Sequence, residues 1–272
     1  MPRKPVFVVL ASLALAASGC GGGGGAGAPA ASTTTAPAPP TTSTARETRE
    51  LPSSLVGAEW RTVPTRAKVV ALTFDGGANA AGAPAILAAL ERAHAPATFF
   101  LTGRWVETFP EPARAIGAGF VVGNHTYDHL DLTALPPRSV RTQVERAERA
   151  IVRVTGQSSR PLLRFPFGAR NAATIELVNE LGYGSIAWTV DTLGWQGTDA
   201  GRSAASVRAR VLRALEPGAI VLMHVGAAPD GSTLDADALP QLISAVRARG
   251  YRLVGLDRYV RETVRPAPPS VP

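Results

Sequence analysis

The chain has 272 residues, one cysteine and a formal net charge of +7. Its hydrophobic fraction of 45% allows a sizeable core and excludes a wholly disordered chain. A single cysteine excludes an internal disulfide framework and a cysteine-rich zinc module, and the length allows one or two domains.

The positive charge does not by itself indicate a nucleic-acid partner. The basic residues are spread along the chain and do not form basic runs. We therefore assign them to a solvated surface and predict no nucleic-acid binding.

The first twenty residues combine a short basic segment, an apolar run and the only cysteine of the chain. Arg3 and Lys4 precede an apolar run over residues 5–18, which is shorter than the roughly 20 residues that span a bilayer. Small residues then lead directly into Cys20, and this arrangement resembles a lipobox, in which the cysteine carries the lipid. The sequence predicts a signal peptide over residues 1–19 and an extracytoplasmic protein anchored to the membrane through Cys20. Ordinary secretion is the alternative.

A low-complexity segment separates the signal from the folded part. Residues 21–45 are entirely Gly, Ala, Pro, Ser and Thr, which cannot bury enough apolar area to offset the entropy of ordering. We predict a flexible tether over residues 20–64, one folded domain over residues 65–262 and a proline-rich tail over residues 263–272.

Strands and helices alternate through the predicted domain. Apolar runs predict strands at 67–74, 97–101, 119–124, 162–165, 185–190, 219–225 and 251–256. Helical periodicity and end signals predict helices at 82–93, 111–117, 138–155, 172–181, 203–215 and 238–249. This alternation indicates an α/β fold with a parallel sheet covered by helices. Six or seven such units fit a distorted (β/α) barrel of parallel strands, either complete or incomplete.

Polar side chains follow several of these strands, where a barrel builds its active site. They are Asp75, His125, His129, Arg164, Asp191 and His224. The i,i+4 spacing of the two neighbouring histidines places both imidazoles on one face, as a metal site requires. A hydrogen-bonded pair of loop histidines is the alternative. His94 lies away from any strand end, and we predict a surface or helix-end position for it.

The same residues lie in five segments that resemble the motifs of the NodB-type polysaccharide deacetylases, carbohydrate esterase family 4. In chain order the segments are LTFDGG (72–77), NHTYDH (124–129), RFPFG (164–168), WTVDTLGW (188–195) and LMH (222–224). The resemblance covers about residues 66–260. It implies a barrel of the NodB type and the hydrolysis of acetyl groups on a polysaccharide.

The resemblance also implies a role for each residue. His125 and His129 would bind a divalent metal, Zn²⁺ in the first place and Co²⁺ as an alternative, which would polarise the acetyl carbonyl and activate water. Asp75 would be the general base. Arg164 would pair with Asp75, and Asp191 would position Arg164.

Four further residues would complete the site by the same resemblance. His224 would protonate the leaving amine. The backbone N–H of Phe167 would help to stabilise the tetrahedral oxyanion. Trp195 and Leu222 would wall the acetyl pocket.

The sequence departs from the family pattern at two positions. Gly76 stands where the family has a second aspartate that binds the metal, although a catalytic zinc usually has three protein ligands and a water. Asn79 or water could supply the missing oxygen, Asp75 could move towards the metal, or the protein could bind glycan without hydrolysing it. Gly194 stands where an acidic residue is common.

We therefore expect a metal-dependent N-deacetylase of a cell-envelope glycan, either peptidoglycan or a chitin-like polymer of N-acetylglucosamine. One alternative is a catalytically silent glycan-binding lipoprotein on the same fold. Another is an esterase that removes O-acetyl groups from a polysaccharide such as acetylated xylan.

Overall fold

A computed structural model describes residues 51–262 of the chain. The predicted signal peptide, Cys20, the first part of the tether and the proline-rich tail lie outside the described residues. Within residues 51–262, no helix combines the length and apolar character needed to cross a membrane.

Nine strands form one sheet, and every pairing between them is parallel. The strands are β1 (Glu59–Trp60), β2 (Val69–Gly76), β3 (Thr98–Leu101), β4 (Val121–Asn124), β5 (Leu162–Leu163), β6 (Gly184–Ile186), β7 (Val190–Asp191), β8 (Ala219–His224) and β9 (Arg252–Leu253). Their order is β1-β6-β5-β4-β3-β2-β8-β7, and β9 pairs with β2. The sheet curls into a half-barrel, which confirms the predicted barrel of parallel strands and shows that this barrel is the incomplete one of the two alternatives.

Helices surround the sheet. They are α1 (Ala83–Arg92), α2 (Gly103–Thr108), α3 (Pro110–Gly119), α4 (Pro137–Thr155), α5 (Ala172–Glu180), α6 (Ala204–Arg213), α7 (Leu234–Ala248) and α8 (Leu256–Glu262). The apolar faces of α1, α2, α3, α4, α6 and α7 pack with strand residues in the main core cluster, whereas α5 and α8 contribute to two smaller clusters.

Alternation along β2 separates this core from the interior of the half-barrel. Val70, Leu72 and Phe74 belong to the core cluster shared with the helices, whereas Ala71 belongs to a second cluster. Because successive side chains of a strand point to opposite faces, Asp75 shares the interior face with Ala71. The last residues of β2 therefore direct a carboxylate into the open end of the half-barrel.

The folded domain begins earlier than the predicted boundary at residue 65. Leu55 is fully buried, and β1 pairs with β6. Thr62 then forms an antiparallel bridge with Ala219, so the segment after β1 joins two parts of the sheet. The boundary was wrong because a two-residue strand carries no periodicity that a sequence pattern could reveal.

Other differences lie at element ends. The predicted strand 185–190 is two short strands, β6 and β7, and the predicted strand 251–256 ends at Leu253, before α8. Helix α2 was not among the elements predicted from the sequence. Helix α7 begins at Leu234 and not at residue 238, with Pro240 inside it.

Candidate active site

The predicted site residues gather at the carboxyl ends of the parallel strands. Asp75 and His224 are register partners at the ends of β2 and β8. His125 directly follows β4, and Arg164 directly follows β5. The parallel arrangement therefore brings residues that are far apart in the sequence to one edge of the sheet.

A buried ion pair forms the floor of this site. The Arg164 Nη1 donates a hydrogen bond of 2.7 Å to Asp75 Oδ1, and the arginine is fully buried. Its other donors are directed at backbone carbonyls, with Nε 3.2 Å from the Ile186 oxygen and Nη2 3.1 Å from the Ala187 oxygen. The guanidinium also lies 4.1 Å from the centroid of the Phe100 ring. The two backbone carbonyls and the Phe100 ring therefore hold the Arg164 guanidinium in place independently of Asp75.

Asp191 does not contact Arg164 in the way that the sequence analysis expected. Its Oδ1 accepts the Leu193 N–H at 2.8 Å, and its Oδ2 accepts the Trp195 indole N–H at 3.1 Å. The backbone carbonyls of Ile186, the last residue of β6, and of Ala187 accept the hydrogen bonds of Arg164 instead. Asp191 therefore shapes the loop that carries Trp195, and its effect on Arg164 is only a longer-range attraction between charges.

The environment keeps Asp75 ionised. Burial by itself raises the pKa of this carboxyl group, but the charge of Arg164 and its hydrogen bond to the carboxylate outweigh that effect. The net result is a pKa below the ordinary value of 3.8. The Oδ2 atom, which Arg164 Nη1 does not contact, faces His125.

Two neutral imidazoles pack together here, and that of His125 lies beside the Asp75 Oδ2 atom. The His125 Nδ1–H donates to the Arg164 backbone carbonyl at 2.8 Å, which leaves the Nε2 lone pair 3.5 Å from Asp75 Oδ2. The His129 ring packs against His125, with 4.7 Å between the centroids. Desolvation lowers the pKa of His125, and desolvation together with His125 lowers the pKa of His129 to about 4.

This donor set is suited to a metal ion. A neutral Nε2 and an ionised Oδ2 are both hydrogen-bond acceptors, and a cation between such atoms satisfies both. Imidazole and carboxylate are also the ligands that Zn²⁺ prefers. Within residues 51–262, however, no group of three His, Cys, Asp or Glu side chains is arranged as a metal site. The fit therefore rests on the two histidines, with Asp75 facing them.

The position of the missing aspartate is closed by apolar side chains. A Cβ atom added to Gly76 would lie 2.8 Å from Leu101 Cδ2 and 3.4 Å from the Trp105 ring. Asn79 does not replace the missing ligand, because its Oδ1 accepts the N–H groups of Ala81 and Ala227. Of the three alternatives for a further oxygen, the structure removes Asn79.

His224 has a carboxylate neighbour that the sequence analysis missed. Asp235, in the first turn of α7, is only 4% exposed. Its Oδ2 accepts the His224 backbone N–H at 2.8 Å and lies 3.9 Å from the His224 Nδ1. Desolvation raises the pKa of Asp235 to about 6, against the opposing effects of His224 and of the Thr192 hydroxyl.

The predicted substrate-contacting residues form the rim and wall of the site. Phe167 is 71% exposed, and its ring lies 4.6 Å from the His129 ring, whereas Trp195 is 44% exposed and lies 6.3 Å from the His224 ring. Leu222 is buried in β8, two residues before His224. The two exposed aromatic rings suit contact with a sugar.

Backbone strain is concentrated in the same loops. Among the described residues, five that are not glycine have a positive φ, and four of them follow the carboxyl ends of strands: Thr126, His129, Phe167 and Leu193. The fifth, His94, is exposed at the end of α1, as predicted. Left-handed conformations at such residues cost about 1–3 kcal/mol each and cluster at functional sites.

The chain is similar to proteins that are described as polysaccharide deacetylases. A family model described as polysaccharide deacetylase matches residues 62–186. A chitooligosaccharide deacetylase of Sinorhizobium fredii is 36% identical over 205 residues, which cover 70% of this chain and 93% of that protein. A peptidoglycan-N-acetylglucosamine deacetylase of Bacillus cereus is 33% identical over 189 residues, which cover 69% of this chain and 66% of that protein.

A solved structure adds a different kind of relative. A pseudoenzyme of the CE4 family from Bacillus anthracis is 29% identical, with a TM-score of 0.69, and the match covers 76% of this chain and 70% of that chain. A mutant of that protein, described as having restored enzymatic activity, matches with a TM-score of 0.69 and 30% identity. The fold therefore occurs in proteins described as enzymes and in one described as a pseudoenzyme.

Proposed function

The chain belongs to the polysaccharide deacetylase family, and on that premise we propose that it is a metal-dependent hydrolase of N-acetyl groups on a cell-envelope polysaccharide. The substrate is peptidoglycan or a chitin-like polymer of N-acetylglucosamine. The names of the two curated relatives, which specify chitooligosaccharides and peptidoglycan, support both possibilities.

The geometry of Asp75 is the observation that carries this proposal. Arg164 holds one carboxylate oxygen at 2.7 Å, and the other faces His125 in the open end of the half-barrel. An ionised carboxylate with one oxygen held and one available is suited to take a proton from an attacking water. Asp75 is therefore the general base of the proposed reaction.

His125 and His129 are the residues that would hold the divalent metal, with Zn²⁺ preferred and Co²⁺ as an alternative. When bound, the metal supplies a Lewis acid that polarises the acetyl carbonyl and lowers the pKa of water. The His125 Nδ1–H bond to the Arg164 carbonyl fixes the tautomer, so that Nε2 is the free ligand atom.

The remaining residues handle the leaving group and the sugar. His224, the register partner of Asp75 on the neighbouring strand β8, donates a proton to the amine nitrogen as the C–N bond breaks. The Phe167 N–H stabilises the oxyanion. Trp195 and Leu222 contact the acetyl group.

Acetate release tests the proposal. Chitooligosaccharide and purified peptidoglycan should each be incubated with the protein after chelation and again after addition of Zn²⁺ or Co²⁺. Release from at least one glycan that depends on added metal supports the function. No release from either substrate with either metal contradicts it.

A specific observation also favours a second candidate function. Gly76 has no side chain that could bind a metal, and a Cβ atom added at this position would contact Leu101 and Trp105. A protein of this fold described as a pseudoenzyme is among the structural relatives. Under this alternative the exposed Phe167 and Trp195 bind glycan without hydrolysis, and the protein would bind chitooligosaccharide in a titration while releasing no acetate with any metal.

We also propose that the protein is a lipoprotein anchored outside the cytoplasmic membrane through Cys20. The positive residues, the apolar run and the small residues before Cys20 support this location. Metabolic labelling with a fatty acid should mark the wild type and not Cys20→Ala. Equal labelling of the two proteins would exclude Cys20 as the attachment point.

A further inference from the structure

We propose that Asp235 is a positioning residue for His224, and that its carboxylate occupies the space which a side chain at position 194 would fill. The inference rests on the proposed function, in which His224 protonates the leaving amine. It assigns the orientation of the imidazole to a residue of α7, outside all five sequence motifs.

The first observation is a pair of atoms without partners. Among the buried side-chain atoms of residues 51–262, only His224 Nδ1 and Asp235 Oδ1 have no hydrogen-bond partner. Buried polar atoms are rarely left unpaired, and each exception calls for an explanation. Here the two groups lie side by side, with 3.9 Å between His224 Nδ1 and Asp235 Oδ2.

The second observation is that the carboxylate is fixed independently of the imidazole. Asp235 Oδ2 accepts the His224 backbone N–H at 2.8 Å, which ties α7 to the end of β8. The His224 side chain, by contrast, is 30% exposed. A small rotation of the ring would bring Nδ1 into hydrogen-bond range of the fixed carboxylate, and such bonds are often long before substrate binds.

The third observation is the close approach of Gly194. A Cβ atom at this position would lie 2.5 Å from Asp235 Oδ1, 2.7 Å from its Cγ and 3.0 Å from its Oδ2. These are the three nearest atoms to the added Cβ, and all belong to the carboxylate. A side chain at position 194 and the present Asp235 carboxylate therefore exclude each other.

The chemistry follows from which ring nitrogen faces the substrate. When Nδ1–H donates to Asp235, the second proton of the imidazolium lies on Nε2, which is then directed to the site. That proton passes to the amine nitrogen, which takes the electron pair of the breaking C–N bond, and the Nδ1 proton stays on His224. Asp235 keeps its charge throughout, as the aspartate of a serine protease triad does.

A purely structural role for Asp235 is the competing explanation. A carboxylate in the first turn of a helix interacts favourably with the helix dipole whether or not an imidazole is nearby. Asp237 offers a matched control, because it is also in the first turn of α7 but is exposed. Asp237→Asn removes a helix-terminal charge and leaves the neighbourhood of His224 unchanged.

The experiment compares Asp235→Asn, Asp237→Asn and the wild type by acetate release and by ¹⁵N NMR of the His224 ring, assigned with His224→Gln. We expect Asp235→Asn to lower kcat about 100-fold with little change in KM, the scale of a lost general acid. In the neutral ring we expect the proton on Nδ1 in the wild type and on Nε2 in Asp235→Asn. Asp237→Asn should match the wild type in both measurements.

An exchange of positions gives a second test. Gly194→Asp alone should lose activity, because its side chain collides with Asp235, whereas Gly194→Asp combined with Asp235→Ala should recover at least tenfold over Asp235→Ala. If Asp235→Asn fails to fold, the combined variant Gly194→Asp/Asp235→Ala still tests whether a carboxylate in this space is needed for activity.

Two results would overturn the inference: an unchanged tautomer with kcat within twofold of wild type in Asp235→Asn, or no recovery in the combined variant. If the wild type releases no acetate, the proposed function fails. The tautomer comparison still decides whether Asp235 positions His224.

Discussion

The Asp75 carboxylate and the Arg164 guanidinium form a buried ion pair that joins the end of β2 to the segment after β5, across 89 residues of chain. The charge of each partner offsets the free energy that it costs to remove the other from water. Removing one leaves a buried charge or an unpaired acceptor, which costs much more than the pair itself contributes.

We expect Arg164→Met to destabilise the fold by about 3–5 kcal/mol, because it leaves Asp75 and two backbone carbonyls without their donor. Urea unfolding measures this loss. Arg141→Met is the control, since Arg141 and Glu180 form an exposed pair whose side chains are 43% and 52% accessible. Exposed pairs contribute about 0–1 kcal/mol. Equal losses of unfolding free energy in the two variants would show that the buried pair stabilises the fold no more than the exposed pair does.

Asp75→Asn should retain the fold and lose turnover. The asparagine oxygen can still accept from Arg164, but the amide cannot take a proton from water, so acetate release should fall about 10²- to 10⁴-fold. Circular dichroism should match the wild type. Turnover within threefold of the wild type would exclude Asp75 as the general base, and Asp199→Asn, at an exposed position, controls for the change of charge.

Space beside Gly76 limits any attempt to add a metal ligand there. Gly76→Asp alone brings its Cβ to within 2.8 Å of Leu101 Cδ2. We therefore expect the combined variant Gly76→Asp/Leu101→Ala to bind Zn²⁺ at least about tenfold more tightly than the wild type by calorimetry, or about 1.4 kcal/mol.

Leu101→Ala alone is the control for that variant. It should lose about 2–5 kcal/mol of stability through the cavity that it creates and show no gain in Zn²⁺ affinity. A combined variant that binds Zn²⁺ no better than Leu101→Ala would mean that position 76 does not face the metal.

The sequence could predict the residues that lie at strand ends and in motifs. Asp75, His125 and His224 each end a strand or directly follow one, and the parallel sheet brings them together whatever the exact strand lengths are. The fold class followed from the same alternation. Strand β1 could not be predicted, because its two residues, Glu59 and Trp60, form neither an apolar run nor a periodic pattern.

The contacts of these residues could not be predicted in the same way. Arg164 was expected to meet Asp191, but its donors are occupied by the backbone carbonyls of Ile186 and Ala187, which no side-chain pattern reports. Asp235 was missed because the predicted helix began at residue 238, which left it in a loop. Only the close approach of Gly194 to this carboxylate in the fold reveals that the two positions are related.

The buried Asp235 carboxylate should make stability depend on pH. Burial raises its pKa from 3.8 to about 6, so the folded state binds this proton more tightly than the unfolded state does. Between these two values the unfolded state releases the proton first, and stability therefore falls as the pH rises from about 4 to about 6. The total loss is on the order of 3 kcal/mol, at about 1.4 kcal/mol per pKa unit.

Asp235→Asn removes this titration and keeps an oxygen that can accept the His224 N–H. We expect the melting temperature of Asp235→Asn, relative to the wild type, to increase steadily from pH 4 to pH 7 in the presence of a chelator. Asp237→Asn, on the exposed side of the same helix turn, should show no such trend. A difference in melting temperature between Asp235→Asn and the wild type that stays constant with pH would mean that the pKa of Asp235 is not raised in the folded state. A rising difference would mean that the wild type retains a carboxylate which costs it stability at neutral pH.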